Sequence, residues 1–239
     1  MMDENSKLER IEEINANLQS VNDRIANALK GAGRERDEVT LIAVTKTFPV
    51  SDVEILYELG LQNFGENRDQ EGSAKAPEIE ADSIWHFQGQ IQSNKLKSII
   101  KWADVIHSLD EIRHAATLHD LLIKNEGTST IDTFVQVSLD FLKEIEPTNR
   151  GGVQPAELEP FIEKLMGFST LNPIGLMAVA PTGIEPELAF SKLAEIHKGI
   201  QSKYPAIAKL SAGMSNDFES AISHGATHLR IGSQILGVR

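Results

Sequence analysis

The chain has 239 residues, with 35 Asp and Glu against 23 Lys and Arg and a formal net charge of −12. That balance favours solubility and argues against general affinity for nucleic acid or anionic membrane, so any phosphate bound is expected to be small and held in a local site. Cysteine is absent, which excludes disulfides and thiolate metal sites, and MMDENSKLER lacks the apolar core of a signal peptide.

No apolar run approaches a membrane span, and a cytoplasmic location is expected. From Asp3 to Lys30 apolar residues recur every three or four positions, at Leu8, Ile11, Ile14, Leu18, Val21, Ile25 and Leu29. The pattern predicts a long amphipathic helix stopped by Gly31 and Gly33. The repeat is short for a coiled coil, so this N-terminal segment, residues 1–33, is expected to pack across the outside or one end of the domain.

Val39 to Val50, VTLIAVTKTFPV, reads as a buried strand that delivers Lys46 at its C-terminal end, with Thr47-Phe48-Pro49 as a turn. Lys46 has two readings, a snorkelling strand-end side chain or a Schiff-base nucleophile, because a lysine amine that is neutral attacks carbonyls. Ser51 and Glu54 fit a capping box for a helix that ends at Gly60. A second strand is expected over Leu61–Phe64, running into Gly65-Glu66-Asn67-Arg68, and a third over Ile84–Phe87, followed by Gln88-Gly89-Gln90 and a helix from Ser93 to Trp102. Val105 and Ile106 make a fourth strand and Thr133–Leu139 a fifth, separated by a helix running to Lys124. Glu144 to Gly152 is polar and reads as a mobile loop. A helix over Pro155–Met166, a strand over Pro173–Val179, a helix over Pro186–Lys203, a strand over Lys209–Ser211, a helix over Asp217–Ser223 and a strand over Thr227–Ile231 complete the alternation.

Eight strand signals alternating with helices predict a closed (β/α)8 TIM barrel with an extra N-terminal helix, residues 1–239 forming one domain. A doubly wound open sheet is the alternative. Barrel chemistry sits at the C-terminal ends of strands, where Lys46, Asn67, His86, Ser108, Met177, Ser215 and Arg230 fall in this reading.

Two stretches suit a phosphate. Ser211-Ala212-Gly213-Met214-Ser215-Asn216-Asp217 runs into a helix, and Arg230-Ile231-Gly232-Ser233 follows the last strand, where barrels often build phosphate sites. A phosphate site facing a strand-end lysine suggests pyridoxal 5'-phosphate (PLP), whose aldehyde needs the amine and whose ring nitrogen needs an Asp or Arg partner. Arg230 is the candidate partner, and an arginine there would leave that nitrogen unprotonated and weaken the cofactor as an electron sink.

The segments AVTKTFP around Lys46, NFGENRDQE at Asn63–Glu71, WHFQGQIQSNK at Trp85–Lys95, GLMAVAP at Gly175–Pro181, and LSAGMSNDFESAI with GATHLRIGSQILGVR near the C-terminus resemble the pyridoxal phosphate homeostasis protein family. The resemblance spans Leu41 to Arg239. That family is similar to the N-terminal barrel of alanine racemase. It implies a cofactor site of Lys46, Asn67, His86, Met177, Ser211, Ser215, Arg230, Gly232 and Ser233. Within it Lys46 holds PLP as an aldimine, Arg230 faces the pyridine nitrogen, Ser215 with the Gly232 and Ser233 backbone holds the phosphate, and Asn67, His86 and Met177 line the pocket. Two departures stand out: Thr47-Phe48-Pro49 where many members carry a second lysine, and Ala212 where methionine is common.

Alternation puts His86 on the opposite side of its strand from Trp85 and Phe87. Spacing leaves it as pocket or core, and the resemblance assigns it to the pocket. His107, His114, His119, His197, His224 and His228 lack companion spacing for a metal and read mostly as surface or helix-end residues. Glu35, Arg36, Asp37 and Glu38 read as a solvated charge run.

An alanine racemase takes its second base from a domain after the barrel. The sequence stops nine residues after Arg230, and Tyr57 and Tyr204 fall inside predicted helices, so a second base is not expected. The leading expectation is therefore a non-catalytic PLP carrier that buffers the cofactor or hands it to apo-enzymes, as a monomer. A PLP-dependent amino-acid racemase using Lys46 as its only base ranks second, and a cofactor-free phosphate-binding barrel third.

Overall fold

The computed structural model describes residues 4–125, 130–143 and 151–238. Its strands are β1 (Thr40–Val44), β2 (Asn63–Glu66), β3 (Ile84–Phe87), β4 (Val105–Leu109), β5 (Ile131–Gln136), β6 (Leu171–Met177), β7 (Lys209–Ser211) and β8 (His228–Ile231). Each pairs in parallel with the next in sequence, and β8 returns to β1 in the register Ile42 to Arg230 and Ala43 to Ile231, closing the barrel. Parallel neighbours need a crossover, which the helices supply. Between strands lie α2 (Val50–Glu58), α3 (Asp69–Lys75), α4 (Leu96–Ile99), α5 (Ile112–Lys124), α6 (Leu158–Leu165), α7 (Pro186–Lys203) and α8 (Phe218–Ser223), while α1 (Glu4–Ala32) precedes β1 and α9 (Ser233–Leu236) follows β8.

The apolar stripe of α1 buries Ile14, Leu18, Val21, Ile25 and Leu29 against the domain, each stabilising by about 1.5–3 kcal/mol. Polar contacts fix its placement along the outside of the barrel, against α8, α9 and α2. Arg10 Nη2 donates to Asp52 Oδ2 at 2.7 Å and to the Leu236 carbonyl at 2.9 Å, Arg24 sits 4.5 Å over the Phe218 ring, and Arg34 Nη1 donates to the carbonyls of Ile222 and Ala226.

Strand alternation sorts two environments. Trp85 and Phe87 turn outward and contact the Trp102 ring, while His86 turns inward. The interior is only partly apolar. Beside Val105, Phe134 and Met177 it holds His86, His107, Ser211 and Arg230, all buried. A barrel interior is usually filled by branched apolar side chains, so this polar content marks a special use.

Several boundaries differ from the sequence reading. β1 ends at Val44, so Lys46 lies in the turn beyond it, and β2 starts two residues later than expected. Ser51 and Glu54 form no capping box: α2 starts at Val50 behind Pro49, with no side-chain cap. The helix α3 was not anticipated. The expected loop at 144–152 lies outside the described residues except for Gly151 and Gly152, whose amide donates to Asp110 Oδ2 at 2.9 Å. Among the described residues no helix is long and apolar enough to cross a membrane.

Candidate functional site

A cleft of about 430 Å3 opens at the C-terminal ends of the strands. That volume lies within the range of small-molecule sites. Lys46, Asn67, Met177, Met214, Gln88 and Gln136 line it with residues of the loops after β3, β5 and β6. The amine of Lys46 makes no hydrogen bond or ion pair with protein among the described residues.

The turn carrying Lys46 is tightly held. Lys75 Nζ, on α3, donates to the Thr45 carbonyl at 2.8 Å and to Glu66 Oε1 at 2.7 Å, and Thr45 Oγ1 donates to the same carboxylate oxygen at 2.6 Å. Glu66 is fully buried, and burial raises its pKa above the ordinary carboxylate value against the opposing pull of Lys75 and Thr45. Thr47 follows Lys46 at φ 68°, and its amide donates to Glu71 Oε2 at 2.5 Å. A β-branched residue in the left-handed region is strained. The surrounding ionic cluster over-determines this turn and fixes the point from which the Lys46 side chain departs.

Arg230 lies inside the barrel, 6% exposed. Its Nη1 donates to Ser211 Oγ at 2.6 Å and its Nη2 to the Ala178 carbonyl, next to Met177, at 3.0 Å. Burial lowers its pKa to about 10, partly opposed by Asp217, and it stays a cation at neutral pH. Three of its N–H groups have no protein acceptor among the described residues.

Two turns meet beside Met214. Ser233 Oγ donates to Ser215 Oγ at 3.1 Å, which joins the turn before α8 to the turn before α9. The backbone N–H groups of Ser215, Asn216 and Gly232 have no protein acceptor among the described residues. Glycine is required at both turns. Gly213 has φ +90°, and a Cβ there would lie 2.8 Å from Ala221 Cβ and from Phe218 Cα, while a Cβ on Gly232 would lie 2.9 Å from the Val44 carbonyl oxygen.

The structure thus brings Lys46, Asn67 and Met177 to the cleft wall, Arg230 and Ser211 to the barrel interior next to it, and Ser215, Gly232 and Ser233 to adjoining turns. His86 joins the interior group. Instead of lining the cleft it is buried within β3, bonded to His107 Nε2 at 2.9 Å and to Asn63 Oδ1 at 3.0 Å, and Gln88 past the strand end takes the expected place. His107 and His228 are interior groups too, not surface ones: desolvation pushes His107 well below the ordinary histidine value, His86 to about 3 and His228 to about 4. Ser108 is buried and donates to the Gly89 carbonyl at 2.5 Å. Gln88 and Gln136 went unnoticed in the sequence, although both follow or end strands; that position was the available signal.

Residues 15–239 match the family model described as alanine racemase, N-terminal domain. The pyridoxal phosphate homeostasis protein of Mycobacterium leprae is 37% identical over 237 residues, covering 92% of this chain and 90% of that protein. The chain belongs to this family. Among solved structures, PipY of Synechococcus elongatus with PLP bound superposes with a TM-score of 0.80 at 29% identity, covering 94% of this chain and 100% of that one. An alanine racemase of Clostridium difficile shares the fold alone, with a TM-score of 0.69 at 14% identity over 95% of this chain and 56% of that one.

Proposed function

We propose that the protein binds PLP and serves its homeostasis, as a carrier without robust catalysis. PLP supplies an aldehyde that a neutral amine captures reversibly. The donor set fits the group. Lys46 offers an amine with no protein partner among the described residues at the cleft wall, Arg230 offers N–H groups from a buried cation, and the turns at Ser215–Asn216 and Gly232 offer amides without protein acceptors. In this reading Lys46 holds the aldehyde carbon and Arg230 donates to the ring nitrogen and keeps it unprotonated. The two glycine-dependent turns, with the Ser215 and Ser233 hydroxyls, hold the phosphate. Asn67 and Met177 flank the ring. A homeostasis protein of M. leprae and a PLP-bound structure of PipY among the relatives support the same assignment.

The single observation that carries the reading is an unpaired lysine amine at the cleft wall, with a buried arginine that keeps spare donors in the barrel interior next to it. The carrier role rests on the composition of the cleft wall. Among its described residues the titratable side chains are Lys46 and Asp140. Racemisation needs proton transfer on both faces of a substrate, and Tyr57 and Tyr204 are engaged far from it, with Asp82 at 2.7 Å and Glu163 at 3.3 Å. We read residues 1–239 as one cytoplasmic, monomeric unit that releases PLP to apo-enzymes.

Equilibrium dialysis with PLP, followed by a chiral assay with L-alanine, tests this. Saturable binding with no enantiomer exchange at enzymatic rates is expected. Turnover at ordinary enzymatic rates would make the racemase the correct reading, and absence of binding would leave the cofactor-free barrel.

A further inference from the structure

A continuous hydrogen-bonded chain crosses the barrel interior behind Arg230. Asn63 Oδ1 on β2 meets His86 Nε2 on β3 at 3.0 Å; His86 Nδ1 meets His107 Nε2 on β4 at 2.9 Å; His107 Nδ1 meets Ser211 Oγ on β7 at 2.8 Å; and Arg230 Nη1 on β8 donates to Ser211 Oγ at 2.6 Å. The three central side chains are no more than 2% exposed. His107 is stacked on Phe134, ring centroids 4.4 Å apart.

The donors can be assigned from either end. A carboxamide oxygen only accepts, so His86 carries its proton on Nε2. Neutral His86 then presents a bare Nδ1, which accepts from His107 Nε2–H. Neutral His107 likewise presents a bare Nδ1, so the Ser211 hydroxyl donates to it. From the other end, a guanidinium only donates, and Ser211 Oγ accepts from it. One polarity satisfies every link, from Arg230 through Ser211, His107 and His86 to Asn63. The hydroxyl proton of Ser211 is thereby committed away from Arg230, and its lone pair is held toward the guanidinium.

We propose that His107 and Ser211 are positioning residues for the cofactor ring: they fix the Arg230 guanidinium from behind, and His86 with Asn63 fixes the tautomer of His107. The proposal rests on the reading that Arg230 faces the PLP ring nitrogen. Pre-organisation of this kind raises affinity by removing the cost of ordering the guanidinium on binding.

The test combines two readouts. In the free protein, nitrogen NMR of the histidines is expected to show His86 and His107 both neutral and protonated on Nε2 at pH 7; a proton on His107 Nδ1 would overturn the assignment. With PLP, His107→Phe and Ser211→Ala are expected to weaken binding by about tenfold, the loss of one hydrogen bond to a charged group, and to shift the visible maximum of the bound cofactor. His107→Asn, whose oxygen can accept from Ser211 in place of Nδ1, is expected to restore the wild-type maximum and stay within about threefold in affinity. A folded His107→Phe protein with wild-type affinity and maximum would overturn the proposal, as would His107→Asn behaving like His107→Phe, the mark of a purely structural role. Should His107→Phe fail to fold, Ser211→Ala and the NMR assignment decide the question. Wild-type protein that fails to bind PLP would instead remove the functional reading beneath it.

Discussion

Lys75 Nζ lies 2.7 Å from Glu66 Oε1, behind the strand end that presents Lys46, and both side chains are nearly withdrawn from solvent. The pair ties α3 to the Thr45 carbonyl and so supports the lysine turn. Removing one partner strands a buried charge. Lys75→Met is expected to destabilise the protein by about 3 kcal/mol, measured by urea denaturation, and to lower PLP affinity through the loosened turn. The double variant Lys75→Met with Glu66→Leu should recover much of the stability, because a buried ion pair is often matched by apolar residues of similar volume. Equal stability for wild type and Lys75→Met would contradict the supporting role.

Thr47 stores strain next to Lys46. Asparagine tolerates the left-handed region better than a β-branched residue, so Thr47→Asn is expected to raise stability by about 1 kcal/mol. The melting temperature reads this directly, and a decrease would show that the contacts of Thr47 outweigh its backbone cost.

The sequence disclosed β1, which leads into the Lys46 turn, and β8, which carries Arg230, because apolar residues and turn signals mark them without reference to distant residues. It did not disclose α3. Its sequence, Asp69–Lys75, is polar, with Gly72 in the middle, and a Cβ at Gly72 would lie 2.4 Å from the Trp102 ring. Small size, and not an apolar stripe, lets this helix pack, so periodicity found nothing. The Lys75–Glu66 pair was hidden with it. The inward chain of His86, His107 and Ser211 depends on register between strands up to 104 residues apart, which no local pattern encodes. His107 therefore looked like a surface residue, and His86 like a pocket one. The four-residue α9 was too short to register, although Arg230-Ile231-Gly232-Ser233 before it was legible as a turn.

The interior histidines make stability depend on pH. Their unfolded values lie near the ordinary 6.5, whereas His86 is lowered to about 3 and His228 to about 4 in the fold. Below pH 6.5 the unfolded chain takes up protons that the fold refuses. Stability is thus complete above that value and falls toward pH 4, by up to about 1.4 kcal/mol per pH unit for each histidine. Asp104, Asp110 and Asp217, raised by burial, oppose part of the loss. Urea midpoints at about pH 7.5 and about pH 5 measure the slope, the two values lying on either side of the ordinary histidine value. His228→Phe should flatten it, and an unchanged slope in that variant would refute the assignment.

If the two glycine turns hold the phosphate as proposed, variants there separate phosphate binding from ring binding. Gly213→Ala forces a side chain into a left-handed residue against Phe218 and Ala221 and is expected to cost about 2 kcal/mol of stability. Gly232→Ala presses on the Val44 carbonyl and should move the amide that the proposed reading turns toward the phosphate. Both variants are expected to lose affinity for PLP more than for pyridoxal without its phosphate, compared by dialysis at a temperature where each is folded. Equal losses for the two ligands would place the phosphate elsewhere.

The central claim is that Lys46 captures the cofactor, and the visible spectrum of PLP-treated protein, before and after borohydride, tests it most directly. Wild type is expected to show a visible band that borohydride abolishes, with the cofactor then retained on the peptide containing Lys46 by mass spectrometry, and Lys46→Ala is expected to show neither. A wild type that stays colourless with PLP, or a Lys46→Ala protein with the same reducible band, would contradict the account.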